Sequence, residues 1–90
     1  MESYSVFLKR SAAKELEELG TESDRRRIVD RIAGLAEDPR PAGCQTLAGR
    51  PDRLRVRQGD YRIVYSVDDP DRTVTVLKIG HRRDVYRSGG

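Results

Sequence analysis

Ninety residues with 18 Lys/Arg, 15 Asp/Glu, a net charge of +3 and only 36% hydrophobic side chains suffice for one modest core and exclude a second one. No stretch of about eighteen apolar residues is present to span a membrane, and Lys9 and Arg10 interrupt the N-terminus before an apolar signal segment develops. The single cysteine, Cys44, has no internal disulfide partner, and no Cys/His cluster has metal-ligand spacing, so the expectation is a cytoplasmic protein without cofactor or metal.

Tyr4 to Leu8 is short and rich in aromatic and branched residues, and it predicts a first strand. Ser11 is the expected N-cap of a following helix whose apolar line runs through Ala12, Leu16 and Leu19 and stops at Gly20. Thr21 or Ser23 starts a second helix, in which Ile28, Ile32 and Leu35 form a buried stripe widened by Val29 and Ala36, and Asp38-Pro39 ends it. Arg25-Arg26-Arg27 at the start of that helix opposes the helix dipole and reads as a solvated face. Residues 39–51 hold three prolines and two glycines without any period, which predicts a loop anchored by Leu47.

Leu54 to Tyr65 has the pattern of a β-hairpin. With Gln58-Gly59 as a two-residue turn, Arg57 faces Asp60, Val56 faces Tyr61 and Arg55 faces Arg62, so Arg55, Arg57 and Arg62 share one face of the sheet. Tyr61 and Tyr65 share the parity of Ile63 and belong to the core side. Like charges across strands cost roughly 0.2–1 kcal/mol, a cost that an external anion relieves. A turn at Asp68-Asp69-Pro70-Asp71 precedes a strand from Thr73 to Ile79. The order of strand, two helices and three strands predicts an α+β fold: a helical hairpin covers one face of a mostly antiparallel sheet, in one domain over residues 1–87 with a flexible tail at 88–90.

The charge is unevenly distributed. Residues 50–90 carry ten basic against six acidic side chains, whereas residues 1–49 are nearly balanced, and arginine supplies fifteen of the eighteen basic residues. The planar guanidinium binds phosphate bidentately, which points to nucleic acid as the partner anion. The last strand runs into Gly80-His81-Arg82-Arg83-Asp84-Val85-Tyr86-Arg87, a second basic and aromatic cluster that short connections place beside the hairpin. His81 is a candidate proton carrier, and Tyr86 is a candidate to stack on a base, orient a phosphate or take a proton. No Ser/His/Asp arrangement, phosphate-cradling glycine loop or carboxylate pair is visible. The chemistry left is cation-assisted phosphoryl transfer in which the 2′-hydroxyl of RNA attacks its own phosphate.

Asp38-Pro39-Arg40-Pro41, Leu47-Ala48-Gly49, Leu54-Arg55-Val56-Arg57, Gly59-Asp60-Tyr61-Arg62-Ile63-Val64-Tyr65 and Gly80-His81-Arg82-Arg83-Asp84-Val85-Tyr86 occur in an order and spacing that resemble the RelE/ParE toxin superfamily, and its RelE branch in particular. The resemblance implies a RelE-like fold and the toxin of a type II toxin–antitoxin system. It implies an mRNA endoribonuclease that acts at the ribosome, inhibits translation, is held by a RelB-like antitoxin and meets operator DNA only together with that antitoxin. On it, Arg62, Arg82, Tyr86 and His81 are the implied catalytic residues and Arg55, Arg57 and Arg83 the RNA contacts. Some members have lysines where this chain has Arg55 and Arg57; arginine stays protonated, so neither residue serves as general base and the proton acceptor stays open between Tyr86 and His81. Two other readings are a ParE-like inhibitor of DNA gyrase without nuclease activity and a non-catalytic basic module that binds nucleic acid.

Overall fold

The computed structural model describes residues 3–81. Among them, strand β1 (Ser5–Leu8) is followed by helices α1 (Arg10–Glu17) and α2 (Glu22–Gly34), and then by strands β2 (Gln45–Leu47), β3 (Arg50–Gln58), β4 (Tyr61–Asp68) and β5 (Thr73–His81). The strands form a single sheet in the order β1-β5-β4-β3-β2. β1 lies parallel to β5, and the other neighbours are antiparallel. This is the expected α+β arrangement.

Alternation along the strands decides what the helices cover. Leu54 and Val56 of β3, Ile63, Tyr65 and Val67 of β4, and Val74, Val76 and Ile79 of β5 are buried together with Ala12 of α1, Ile28 and Ile32 of α2, and Leu35. A bulge keeps this alternation in phase. Tyr65 lies opposite Val76 while Val64 lies opposite Lys78, so the extra residue Leu77 lets Ile79 instead of Lys78 face the core opposite Ile63. Beyond the end of β1, Glu15 of α1 borders β5: its carboxylate accepts from the Ile79 amide at 2.9 Å and from Lys78 Nζ at 3.1 Å.

Four sequence expectations shift. Ser11 lies inside the first turn of α1 and does not cap it. Lys9 holds that position because its amide still donates to Val76 O at 2.9 Å, so the chain passes straight from the parallel ladder into the helix. Thr21 caps α2 as expected, its hydroxyl accepting from the Asp24 amide at 3.0 Å. Regular helix ends at Gly34, before Asp38-Pro39, and the chain continues in tighter turns in which the Ala36 amide donates to Ala33 O at 3.1 Å and the Glu37 amide to Gly34 O at 3.2 Å. The expected loop at 39–51 contains strand β2, and Cys44, not Leu47, packs against the core cluster.

The hairpin register is also offset from the expected one. Gly59, at φ +62°, and Asp60 form the turn, so Gln58 faces Tyr61, Arg57 faces Arg62, Val56 faces Ile63 and Arg55 faces Val64. The offset is by an even count, so Arg55, Arg57 and Arg62 still share one face.

At the opposite end of the sheet, Asp69 in the β4–β5 turn joins three segments. It accepts from the Tyr4 hydroxyl at 2.6 Å and from both Arg40 terminal nitrogens at 3.1 and 2.9 Å. These bonds, the Arg40 guanidinium foremost and the Tyr4 hydroxyl next, hold the Asp69 carboxyl below its ordinary value of 3.8. A carboxylate so depressed contributes stability above that value, and the contribution disappears as pH falls through the lower folded-state value. Asp69→Asn is therefore expected to lower the urea midpoint at neutral pH, with the gap from wild type closing below about pH 3.8. Urea titrations across that range check it.

Candidate nucleic-acid interface

The face of β3 and β4 turned away from the helices carries the arginines. Arg55 and Arg57 are two residues apart on β3, about 6.8 Å along the strand, and Arg62 lies directly across from Arg57 on β4. Arg62 is only 8% exposed, the sole charged residue buried to that degree among the described residues. A guanidinium with so little access to water acts on a bound charge through a lower effective dielectric than a solvated one does. Arg55 is oriented by Gln45 of β2, whose Oε1 accepts from Arg55 Nη2 at 2.5 Å.

These side chains line an open cleft of about 260 Å3, together with Gly43, Gln45 and Arg31 of α2. Arg31 and Gln45 are absent from the sequence-based site. Arg31 follows Ile28 by three positions and precedes Leu35 by four, so it flanks the buried stripe of α2; that placement was readable from helical spacing, but an arginine there looks like any solvated flank. Gln45 gave no signal, because β2 itself lacks alternation.

His81 lies elsewhere. It faces Tyr61 across the β4–β5 ladder, with the rings edge-on at 5.9 Å, and both line a cleft of about 280 Å3 with Asp24, Arg27, Ile28, Gln58, Gly59 and Asp60. Tyr61 has the parity of core residue Ile63, opposite to that of Arg62, so the sheet separates His81 from the arginine face. Arg82, Arg83 and Tyr86 lie outside the described residues. The described chain ends with Gly80 opposite Arg62 and His81 opposite Tyr61.

The two tyrosines of β4 serve structure. Burial, and then the hydrogen bond to Asp24 Oδ2 at 3.2 Å, push the Tyr61 hydroxyl above its ordinary value. Burial pushes Tyr65 up strongly, and its hydroxyl donates to Pro39 O at 2.7 Å, fastening the segment after α2 to the sheet. Neither supplies a phenolate near neutral pH. The cleft as described provides several fixed positive forks, which suits binding a phosphodiester and stabilising charge that develops on it.

Comparison with known proteins agrees with this fold. The ParE toxin family of type II toxin–antitoxin systems, parDE, matches residues 6–86, and the chain belongs to this family, within the RelE/ParE superfamily of toxins. It is 27% identical to Toxin RelG of Mycobacterium tuberculosis over 84 residues, covering 93% of this chain and 97% of that one. The toxin–antitoxin complex RelBE2 of Mycobacterium tuberculosis superposes with a TM-score of 0.79 at 26% identity, covering 91% of this chain and 94% of the other. The archaeal RelE–RelB complex of Pyrococcus horikoshii OT3 gives 0.78 at 31% identity, covering 88% and 94%.

Because Arg57 and Arg62 are like charges directly across two strands, Arg57→Gln is expected to raise stability by roughly 0.2–1 kcal/mol while weakening RNA binding. Urea denaturation and anisotropy titration on the same preparation check both directions.

Proposed function

We propose that this toxin is an endoribonuclease that cuts mRNA on the ribosome and thereby stops translation, held inactive by a RelB-like antitoxin. The observation that carries the reading is the convergence of Arg55, Arg57 and the buried Arg62 on one cleft. The RelE–RelB and RelBE2 complexes among its structural relatives support an antitoxin partner. A strongly basic face also favours an acidic or amphipathic covering segment through electrostatic steering. Operator DNA enters as a partner of the toxin–antitoxin complex and not of the toxin alone.

In the proposed reaction the 2′-oxygen attacks the adjacent phosphorus and the bond to the 5′-oxygen breaks, leaving a 2′,3′-cyclic phosphate and a free 5′-hydroxyl. One proton leaves the 2′-hydroxyl and one is delivered to the departing oxygen. Arg55 and Arg57 hold the phosphate oxygens, and Arg62, joined by Arg82, stabilises the extra charge of the pentacovalent transition state. An arginine cannot accept the proton at physiological pH. Tyr86 is the proposed proton carrier in preference to His81, whose ring lies with Tyr61 across the sheet from the arginines, and Arg83 is a further RNA contact.

A second reading is favoured by the match to the ParE family model: a binding toxin directed at DNA gyrase, with no strand cleavage. Induction of the toxin alone in a bacterial host, with new mRNA 5′ ends mapped by primer extension, separates the two. Cuts within translated frames that fall at least 100-fold in Arg62→Ala are expected, in line with about 2.7–4 kcal/mol for loss of one preorganised transition-state donor. Growth arrest without cuts selects the gyrase reading, and an Arg62→Ala protein with full cleavage removes Arg62 from the chemistry.

A further inference from the structure

β2 flanks β3 only as far as Arg55. Beyond it, the outer edge of β3 at Val56, Arg57 and Gln58 has no strand beside it among the described residues, and this is where α2 brings Arg31 into the arginine cleft. Arg31 is half-buried, and its Nε is a buried donor without a hydrogen-bond partner among the described residues. Burying a donor of a charged group without a partner is unfavourable, and an anion in the cleft satisfies it. Arg53 Nε is in the same state but does not line the cleft. Gly43, at φ +90°, also lines the cleft, so no side chain obstructs an approaching backbone there.

We propose that Arg31 is a phosphate-binding residue that holds the phosphate next to the scissile one, where the RNA strand leaves β3 over its open edge towards α2. This assignment rests on the ribonuclease reading above and deepens it. Arg55, Arg57 and Arg62 act on the scissile phosphate, and Arg31 fixes which nucleotide is presented to them. Planar forks from three separate elements suit successive phosphodiesters better than scattered carboxylates of a peptide.

The test uses a short 2′-O-methyl oligouridine, which cannot be cleaved, and measures its affinity by fluorescence anisotropy over a range of NaCl concentrations. Each phosphate contact on a single strand contributes about 0.7 to the slope of log affinity against log salt. Arg31→Gln is expected to flatten the slope by about 0.7 and weaken binding about tenfold at low salt, with Arg31→Lys recovering the slope. Arg26→Gln, on the exposed side of the same helix where Arg26 pairs with Glu22 at 3.9 Å, is the control and is expected to keep the wild-type slope. Wild-type melting behaviour of Arg31→Gln establishes that it is folded.

An unchanged slope in Arg31→Gln, an equal loss in Arg26→Gln, or no binding of the oligonucleotide by wild type overturns the assignment. A loss seen with oligoglutamate and not with RNA gives Arg31 to an acidic protein segment and also overturns it. None of these outcomes bears on whether mRNA is cut, which the primer-extension experiment decides separately.

Discussion

The register between β3 and β4 is the constraint on which the rest depends. Gly59 adopts a left-handed conformation at little cost, so the chain reverses at Gly59-Asp60 and sets Val56 against Ile63 on one face and Arg57 against Arg62 on the other. A slip of one residue would carry Val56 out of the core and Arg57 into it, so the apolar and cationic faces hold each other in place. Burial of Leu54, Val56, Ile63 and Tyr65 provides the driving force, and the arginine face is the consequence on the other side.

That consequence shapes the function. Packing alone does not call for arginines across from one another, since like charges directly opposite repel. An anion converts that repulsion into binding, because each added negative charge is met by several fixed forks at once. Short connections then concentrate the chemistry: β5 lies beside β4 and sets Gly80 opposite Arg62, while α2 brings Arg31 to the open edge of β3. A small domain thereby builds a cationic cleft from three elements without deepening its core.

Most of the architecture was legible because it depends on period. The stripe Ile28, Ile32, Leu35 and the alternation through Ile63, Tyr65 and Val67 gave the helix and the strand faces, and parity placed Arg55, Arg57 and Arg62 together even with the turn one residue out. What escaped depends on contacts rather than period. β2 is three residues, Gln45, Thr46 and Leu47, that become a strand only because β3 offers an edge, and Lys9 caps α1 only because β5 holds its amide. Arg31 joins the site through tertiary placement, and His81 is separated from Arg62 by a bulge at Leu77 that no local sequence rule announces.

The central claim is that the hairpin register builds a phosphate-binding face, and the most direct test is the melting temperature in pyrophosphate at constant ionic strength, for wild type and Arg57→Gln side by side. Specific binding to the folded state stabilises it by RT ln(1 + [L]/Kd), where [L] is the free ligand concentration. Pyrophosphate is expected to raise the melting temperature of wild type progressively and that of Arg57→Gln far less. An equal rise in both proteins, or no rise in either, would contradict it.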